Sequence, residues 1–222
     1  MDKDDNIGSY EIRAMTPKHP VGWFQTILPK SVMNRLQSYI ETAKNNPINV
    51  NEELAGNISN SLNLEDTDNW FFRHILDECI RKFKLTWPGG LIDDILTDNR
   101  PYCLQKFWVN FQKQHEFNPP HNHSGIFSFV IWVKIPTDWR EQHALPISAN
   151  SGAPKASDFD FQYTTILGNF GSYHYSLDKT SEGGMLFFPA KLMHTVYPFY
   201  NCDKERISIS GNIRLDTSTS NL

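Results

Sequence analysis

Two histidines separated by one residue, His121 and His123, are the first side chains whose spacing could bind a metal ion. In an extended segment, residues i and i+2 project from the same face, so both imidazoles can reach one ion. Pro119 and Pro120 stiffen the chain just before them. Such a pair is equally typical of two loop histidines, so it predicts a metal site only together with ligands from elsewhere.

A third histidine and an arginine–serine pair follow in the carboxyl-terminal part of the chain. His194 lies between two short apolar segments, where a buried core histidine is the alternative interpretation. Arg206 and Ser208 share one face of a β-rich segment. A guanidinium beside a hydroxyl suits a carboxylate, which it can hold through two parallel hydrogen bonds, although a surface ion pair would use the same residues.

The amino-terminal part of the chain carries helix signals. Apolar residues recur at helical spacing over 32–40 and 66–84, and Ser31 is the expected N-cap of the first helix. The asparagine-rich stretch 45–63 contains a third, weaker helix candidate.

From residue 101 onward the hydrophobic period changes to two, which indicates strands. We expect one domain over residues 1–222, with a helical region at 1–100 and a β core at 101–222. Short strands separated by turns after a helical lead-in predict a mainly β (α+β) barrel or sandwich with helices packed outside. The strands are expected at 103–112, 125–136, 158–166, 185–189, 194–199 and 206–215.

Composition excludes several classes of protein. The 222 residues include 13% aromatic side chains, enough to fill a core and exclude wholesale disorder. With 21 Lys+Arg against 25 Asp+Glu, no dedicated nucleic-acid surface is evident. No apolar run reaches membrane length, and the charged start lacks the features of a signal peptide. Three scattered cysteines favour reduced thiols, so we expect a cytoplasmic protein. The sequence does not indicate the oligomeric state.

The order of these motifs resembles a known family. The chain from about Phe107 to Asn212 is similar to 2-oxoglutarate/Fe(II) oxygenases related to prolyl hydroxylases, in the branch found in cyanophage and marine bacterial genomes. A phage-encoded member would act in the cytoplasm of the host cell. The segments that carry the resemblance are 108–110, 121–125, 128–136, 184–189, 192–198 and 206–212.

The resemblance implies a double-stranded β-helix (a jelly roll, as in cupins) that opens at one end onto Fe(II). His121, His123 and His194 would bind the metal, and Arg206 and Ser208 would bind the distal carboxylate of the cosubstrate 2-oxoglutarate. Asn110 is a further candidate contact to the cosubstrate. The implied activity is hydroxylation of an unknown small-molecule or peptidyl substrate, coupled to oxidative decarboxylation of 2-oxoglutarate to succinate.

His123 departs from the family pattern, because it occupies the position usually held by Asp or Glu. Three outcomes are open: a three-histidine centre, which we favour; a bystander histidine with water completing the shell; or a nearby acid, Glu116 or Asp160, that moves in. A three-histidine site could also prefer zinc or another metal in vitro.

Residues 138–160 form a long insert between strands, and we expect a substrate lid at the mouth of the barrel. Two alternatives to the leading function remain at this point. One is a metal-dependent dioxygenase that uses no 2-oxoglutarate, against which the presence of Arg206 and Ser208 argues. The other is a non-catalytic jelly-roll module for structure or binding, which would need neither the histidines nor the arginine.

Overall fold

The computed structural model describes residues 22–88 and 100–217. The charged start of the chain and the glycine pair 89–90 lie outside them. Within the described residues the helices are α1 (Lys30–Asn45), α2 (Asp77–Thr86, preceded by a π-helical turn at Phe72–Leu76) and α3 (Trp139–Ala144). The strands are β1 (Phe24–Ile27), β2 (Ser61–Asn63), β3 (Tyr102–Gln112), β4 (Asn118–His121), β5 (Phe127–Lys134), β6 (Phe159–Thr164), β7 (Phe170–Tyr175), β8 (Gly184–Pro189), β9 (Met193–Val196) and β10 (Arg206–Leu215).

The strands form two antiparallel sheets. The larger sheet has the order β1-β8-β5-β10-β3-β2, and the smaller has the order β4-β9-β6-β7. From β3 to β6, and again from β7 to β10, strands that follow one another in sequence alternate between the sheets, as in a jelly roll. This architecture confirms the predicted mainly β fold.

The two faces of the larger sheet bury different side chains, because successive residues of a strand point to opposite sides. The outer face packs against α1 and α2 through aromatic contacts such as Tyr39 with Phe107 and Phe83 with Phe127, at centroid distances of 6.3 and 5.0 Å. The inner face presents Val130 and Phe188, among others, toward the smaller sheet. The helices thus cover one face and leave the other for the space between the sheets.

The amino-terminal region is less helical than predicted. Besides α1 and α2 it supplies both edge strands of the larger sheet, since β1 pairs with β8 and β2 pairs with β3. The weak helix candidate at 45–63 forms only a 3₁₀ turn at Asn51–Glu53. α1 begins at Lys30 without a side-chain cap, so the prediction of Ser31 as its N-cap was wrong.

The strands β4 and β7 were not predicted as such. β4 contains Pro119 and Pro120, and proline is rare in strands because it has no N–H to donate to a neighbouring strand. β4 can contain both because it lies at the edge of the smaller sheet. None of the described helices is both long and apolar enough to cross a bilayer.

Gly211 is required by close packing at the centre of the larger sheet. A Cβ atom at this position would lie 2.6 Å from the Phe129 ring and 2.8 Å from the backbone oxygen of Lys106. We expect Gly211→Ala to lower the free energy of unfolding by ~1–3 kcal/mol through overpacking, measured by urea denaturation. Gly152→Ala is the control, because a Cβ there meets nothing within 4 Å. Equal stability of the two variants would contradict this account.

Candidate metal and anion site

Three histidines meet between the sheets. One ligand nitrogen from each of His121, His123 and His194 lies within 4.8 Å of the other two, and the Nε2 atoms of His123 and His194 are 3.1 Å apart. A metal–nitrogen bond is ~2.1 Å long, so two nitrogens of one ion lie ~3 to 4 Å apart. The cluster is therefore close to the spacing that one ion requires.

Strand pairing brings the histidines together. His121, the last residue of β4, lies directly opposite His194 on β9, with ring centroids 4.2 Å apart. His123 lies two residues beyond β4, where its backbone N–H donates to the oxygen of Ala190 at 2.8 Å. The predicted i, i+2 arrangement thus brings both rings to the same centre, although only the first belongs to a strand.

Backbone hydrogen bonds orient two of the three rings. Nδ1 of His121 lies 2.7 Å from the oxygen of Pro119, and Nδ1 of His194 lies 2.9 Å from that of Leu192. A carbonyl only accepts, so we assign the ring proton to Nδ1 in both. Each Nε2 then keeps a lone pair for a metal, and the carbonyl fixes the direction of the ring.

Burial keeps these imidazoles neutral. It lowers the pKa of His121, lowers that of His194 well below its usual value, and lowers that of His123 to about 3. Charge repulsion among the histidines adds to the effect for His123 and His194. Phe159, Phe161 and Phe188 pack around the His194 ring and supply the dry wall. Neutral imidazoles are the form that binds metals.

The cluster contains no carboxylate among the described residues. Glu116 is held elsewhere, since its two oxygens accept from the backbone nitrogens of Ser59 and Lys113. Asp160 lies next to Phe161 on β6, and because Phe161 is the residue paired with His194, alternation turns Asp160 to the other face. Its carboxylate lies 3.7 Å from Lys155 Nζ.

Arg206 is a buried cation whose hydrogen bonds are incomplete. Its Nη2 donates to the backbone oxygen and the hydroxyl of Ser157, and its Nη1 has only a 3.5 Å contact with Gln112. Nε is buried and has no hydrogen-bond partner among the described residues. The guanidinium carbon lies 5.0 Å from the centroid of the Phe199 ring. Burial lowers the pKa of Arg206 only to about 10, so the charge remains at neutral pH.

The other two predicted anion-binding residues lie on the inner face nearby. Ser208 and Asn110 are directly paired across β10 and β3, next to the pair formed by Arg206 and Gln112. The Asn110 oxygen accepts from the hydroxyl of Ser61 at 2.8 Å, which leaves its amide nitrogen for another partner. Register thus places all three residues along one stretch of the sheet.

Two adjoining cavities share the histidine cluster. The inner cavity is lined by all three histidines and by Arg206 and Ser208. The outer cavity is lined by His121 and His123 but not by His194, and is bounded by residues of the 51–58 segment.

The insert at 138–160 is anchored beside Arg206. Of its residues only Phe159 is among those that line the two cavities, and Ser157 contacts Arg206, which lines the inner one. Gln142 anchors the insert by two hydrogen bonds to the backbone of Tyr200. These contacts attach the insert beside Tyr200 and Arg206, and its role as a substrate lid stays a prediction.

Several residues in or beside the cavities were not predicted from the sequence. Glu53 and Lys106 form a 2.8 Å ion pair beside the outer cavity, although 53 residues separate them in sequence. Ser157 sits in a loop without periodicity. Of these residues, Gln112 alone could have been found from the sequence, because it is the last residue of the alternating pattern that became β3. In the structure it pairs with Arg206.

Comparisons with known proteins agree with this geometry. Residues 106–212 match the family described as "Putative 2OG-Fe(II) oxygenase". No curated protein matches the chain. A prolyl-4-hydroxylase from Pseudomonas putida is similar with a TM-score of 0.52 and 14% identity, covering 88% of this chain and 94% of its own. At such identity the likeness establishes a shared fold.

Two further solved structures share the fold. SnoN, a non-heme alpha-ketoglutarate-dependent epimerase of nogalamycin biosynthesis, has a TM-score of 0.52 and 13% identity over 87% of this chain and 77% of its own. HygX from Streptomyces hygroscopicus, solved with nickel, 2-oxoglutarate and hygromycin B, has a TM-score of 0.51 and 9% identity over 89% and 84%.

Removal of one histidine tests the cluster. We expect His194→Ala to weaken Zn(II) binding by more than the ~10–100-fold that loss of an outer-shell partner costs, measured by isothermal titration calorimetry. Zn(II) should also raise the melting temperature of the unsubstituted protein. His174→Ala, on the exposed face of β7, is the matched control. Unchanged affinity in His194→Ala would disprove a shared site.

Proposed function

Since residues 106–212 belong to the 2OG-Fe(II) oxygenase family, we propose that His121, His123 and His194 hold the iron and that Arg206 and Ser208 bind 2-oxoglutarate. The observation that supports this most directly is the inner cavity, which both groups of residues line. The substrate would be hydroxylated on the other side of the histidines, in the outer cavity.

The side chains fit both groups. Three neutral imidazoles suit Fe(II), and the unpaired Nε of Arg206 is a buried donor that a carboxylate would satisfy. When bound, Fe(II) and 2-oxoglutarate would supply oxidation by O₂, in which one oxygen atom enters succinate as 2-oxoglutarate loses CO₂ and the other enters the substrate as a hydroxyl group.

The three histidines would set the charge of the centre. Three neutral imidazoles leave the charge of Fe(II) uncompensated, so the 2-oxoglutarate dianion would bring the net charge of the centre to zero. A carboxylate ligand in place of one imidazole would make that net charge negative. Because the carbonyls of Pro119 and Leu192 already hold Nδ1 of two rings, these rings need little reorganisation to bind.

Arg206 would select the cosubstrate. It is 2% exposed, and among the described residues no carboxylate forms an ion pair with it, the charge of Asp158 acting only at longer range. An anion that reaches it therefore gains from a low-dielectric environment. Ser208 adds a hydroxyl next to it, and Asn110 adds an amide held in place by Ser61. Phe159 and Phe188 exclude water from the same cavity.

The outer cavity would bind a polar substrate, of a small-molecule or peptidyl kind. Asparagine side chains and the Glu53–Lys106 pair dominate its lining, with Trp108 beside His123 at a centroid distance of 6.0 Å. The pair is partly solvent-exposed, so its charges are available to an incoming molecule.

We place this activity in the cytoplasm. Cys79, Cys103 and Cys202 all carry free thiols, as is typical of a reducing compartment. Burial raises the pKa of Cys79 to about 11, so this thiol is unreactive at neutral pH.

Anaerobic spectroscopy tests the assignment of iron and cosubstrate. Addition of Fe(II) and 2-oxoglutarate under argon should give a visible charge-transfer band. Arg206→Ala should abolish the band at the same 2-oxoglutarate concentration and leave metal binding unchanged, because the histidines remain. Arg214→Ala, an exposed residue on the same strand, is the control. Metal binding without the band in the unsubstituted protein would favour a dioxygenase that uses no 2-oxoglutarate, and no metal binding would favour a non-catalytic module.

Succinate formation tests the outer cavity. A panel of free amino acids, short proline-containing peptides and aminoglycosides should include compounds that stimulate succinate release. For any such compound, the double substitution Glu53→Ala/Lys106→Ala should raise KM severalfold and leave the charge-transfer band intact, because neither residue lines the inner cavity. The Glu78→Ala/Arg81→Ala double variant, which removes an exposed ion pair on α2, is the control. An unchanged KM would exclude this cavity as the substrate site.

A further inference from the structure

Near the end of the insert at 138–160, one residue contacts the arginine proposed to bind 2-oxoglutarate. Both the backbone oxygen of Ser157, at 2.9 Å, and its hydroxyl accept from Nη2 of Arg206. We propose that Ser157 is a positioning residue, which holds the guanidinium in the orientation that receives the distal carboxylate. This inference rests on the proposed function.

The conformation of Ser157 is unusual. The residue is fully buried and has a φ of +74°, in the left-handed region that residues other than glycine rarely adopt. In this conformation its two oxygens reach the same nitrogen of Arg206. Its N–H donates to the oxygen of Pro198 at 2.8 Å, and its hydroxyl lies 3.1 Å from that of Thr137. Contacts from two other segments therefore hold it in place.

The remaining surroundings of Arg206 leave the side toward the cavity free. Phe199 lies over the guanidinium, Gln112 makes only a long contact with Nη1, and Nε has no partner. Ser157 is thus the one described residue that binds the guanidinium by short hydrogen bonds. Because Nη2 is held, the planar guanidinium cannot rotate without breaking these bonds. The direction of its Nε–H bond is therefore fixed as well.

The next residue, Asp158, ties the insert to α3. Asp158 is fully buried, and its Oδ1 lies 3.0 Å from Nε2 of His143 on α3. The insert is thereby tied to its own helix immediately after the contact with Arg206. These contacts hold the insert against the cosubstrate end of the inner cavity, which its Phe159 lines.

A pair of ligands separates positioning from general structural support. 2-Oxoglutarate carries the distal carboxylate that Arg206 would hold, whereas 2-oxopentanoate has the same chain length without it. If Ser157 acts through Arg206, its loss should affect only the first ligand. If Ser157 merely supports the fold, both ligands should lose affinity together.

The experiment is isothermal titration calorimetry of the Ni(II)-loaded full-length protein with each ligand, which requires no turnover. Ser157→Gly removes the hydroxyl and suits the positive φ, so the variant should fold. We expect about tenfold weaker binding of 2-oxoglutarate, in line with one lost hydrogen bond to a charged group, and unchanged binding of 2-oxopentanoate. Ser151→Gly, on the exposed part of the insert, is the matched control and should bind both ligands normally.

Three results would overturn the inference. Equal 2-oxoglutarate affinity of Ser157→Gly and the unsubstituted protein would show that the hydroxyl does not position Arg206. Equal losses for both ligands would assign Ser157 a structural role. If the unsubstituted protein binds metal but not 2-oxoglutarate, the proposed function fails and this inference fails with it, whereas the first two results leave the proposed function standing.

Discussion

The burial of one positive charge governs the interior of this protein. Removing a guanidinium from water costs several kcal/mol unless hydrogen bonds and opposite charge compensate it. Here Arg206 lies under Phe199 and against Ser157. Among the described residues none bonds its Nε and no carboxylate forms an ion pair with it, although the charge of Asp158 acts on it at longer range. The space beside it therefore favours an anion. The three neutral imidazoles at the other end of that space favour a cation. The cavity is therefore complementary to a cation and an anion bound to each other.

Much of this arrangement could be predicted from local sequence patterns. The period-two segments became β3, β5, β6, β8 and β10 because alternating side chains fill two distinct layers. The same alternation placed Arg206 and Ser208 on one face. The histidines could be grouped because strand geometry and the order of the motifs both pointed to a shared centre.

Other features left no local signal. β1 and β2 are short and partly polar, and their pairing with β8 and β3 depends on residues distant in sequence. The contact of Ser157 with Arg206 and the ion pair of Glu53 with Lys106 each join segments about fifty residues apart. Such contacts follow from the assembled fold, since neither residue type nor spacing distinguishes them from ordinary surface side chains. For the same reason the contacts of the insert with Tyr200 and Arg206 were not predicted.

The position of β10 has a consequence for biosynthesis. This strand is the latest of the ten in the sequence, yet it lies in the middle of the larger sheet, between β5 and β3. A nascent chain that has not yet reached residue 206 must keep a gap between those two strands or pair them wrongly. Because Arg206 and Ser208 arrive with the strand that fills the gap, closure of the sheet and completion of the anion pocket are one event. An incompletely synthesised polypeptide thus holds the histidines without the arginine, and any metal it captures lacks the residue that would recruit a carboxylate.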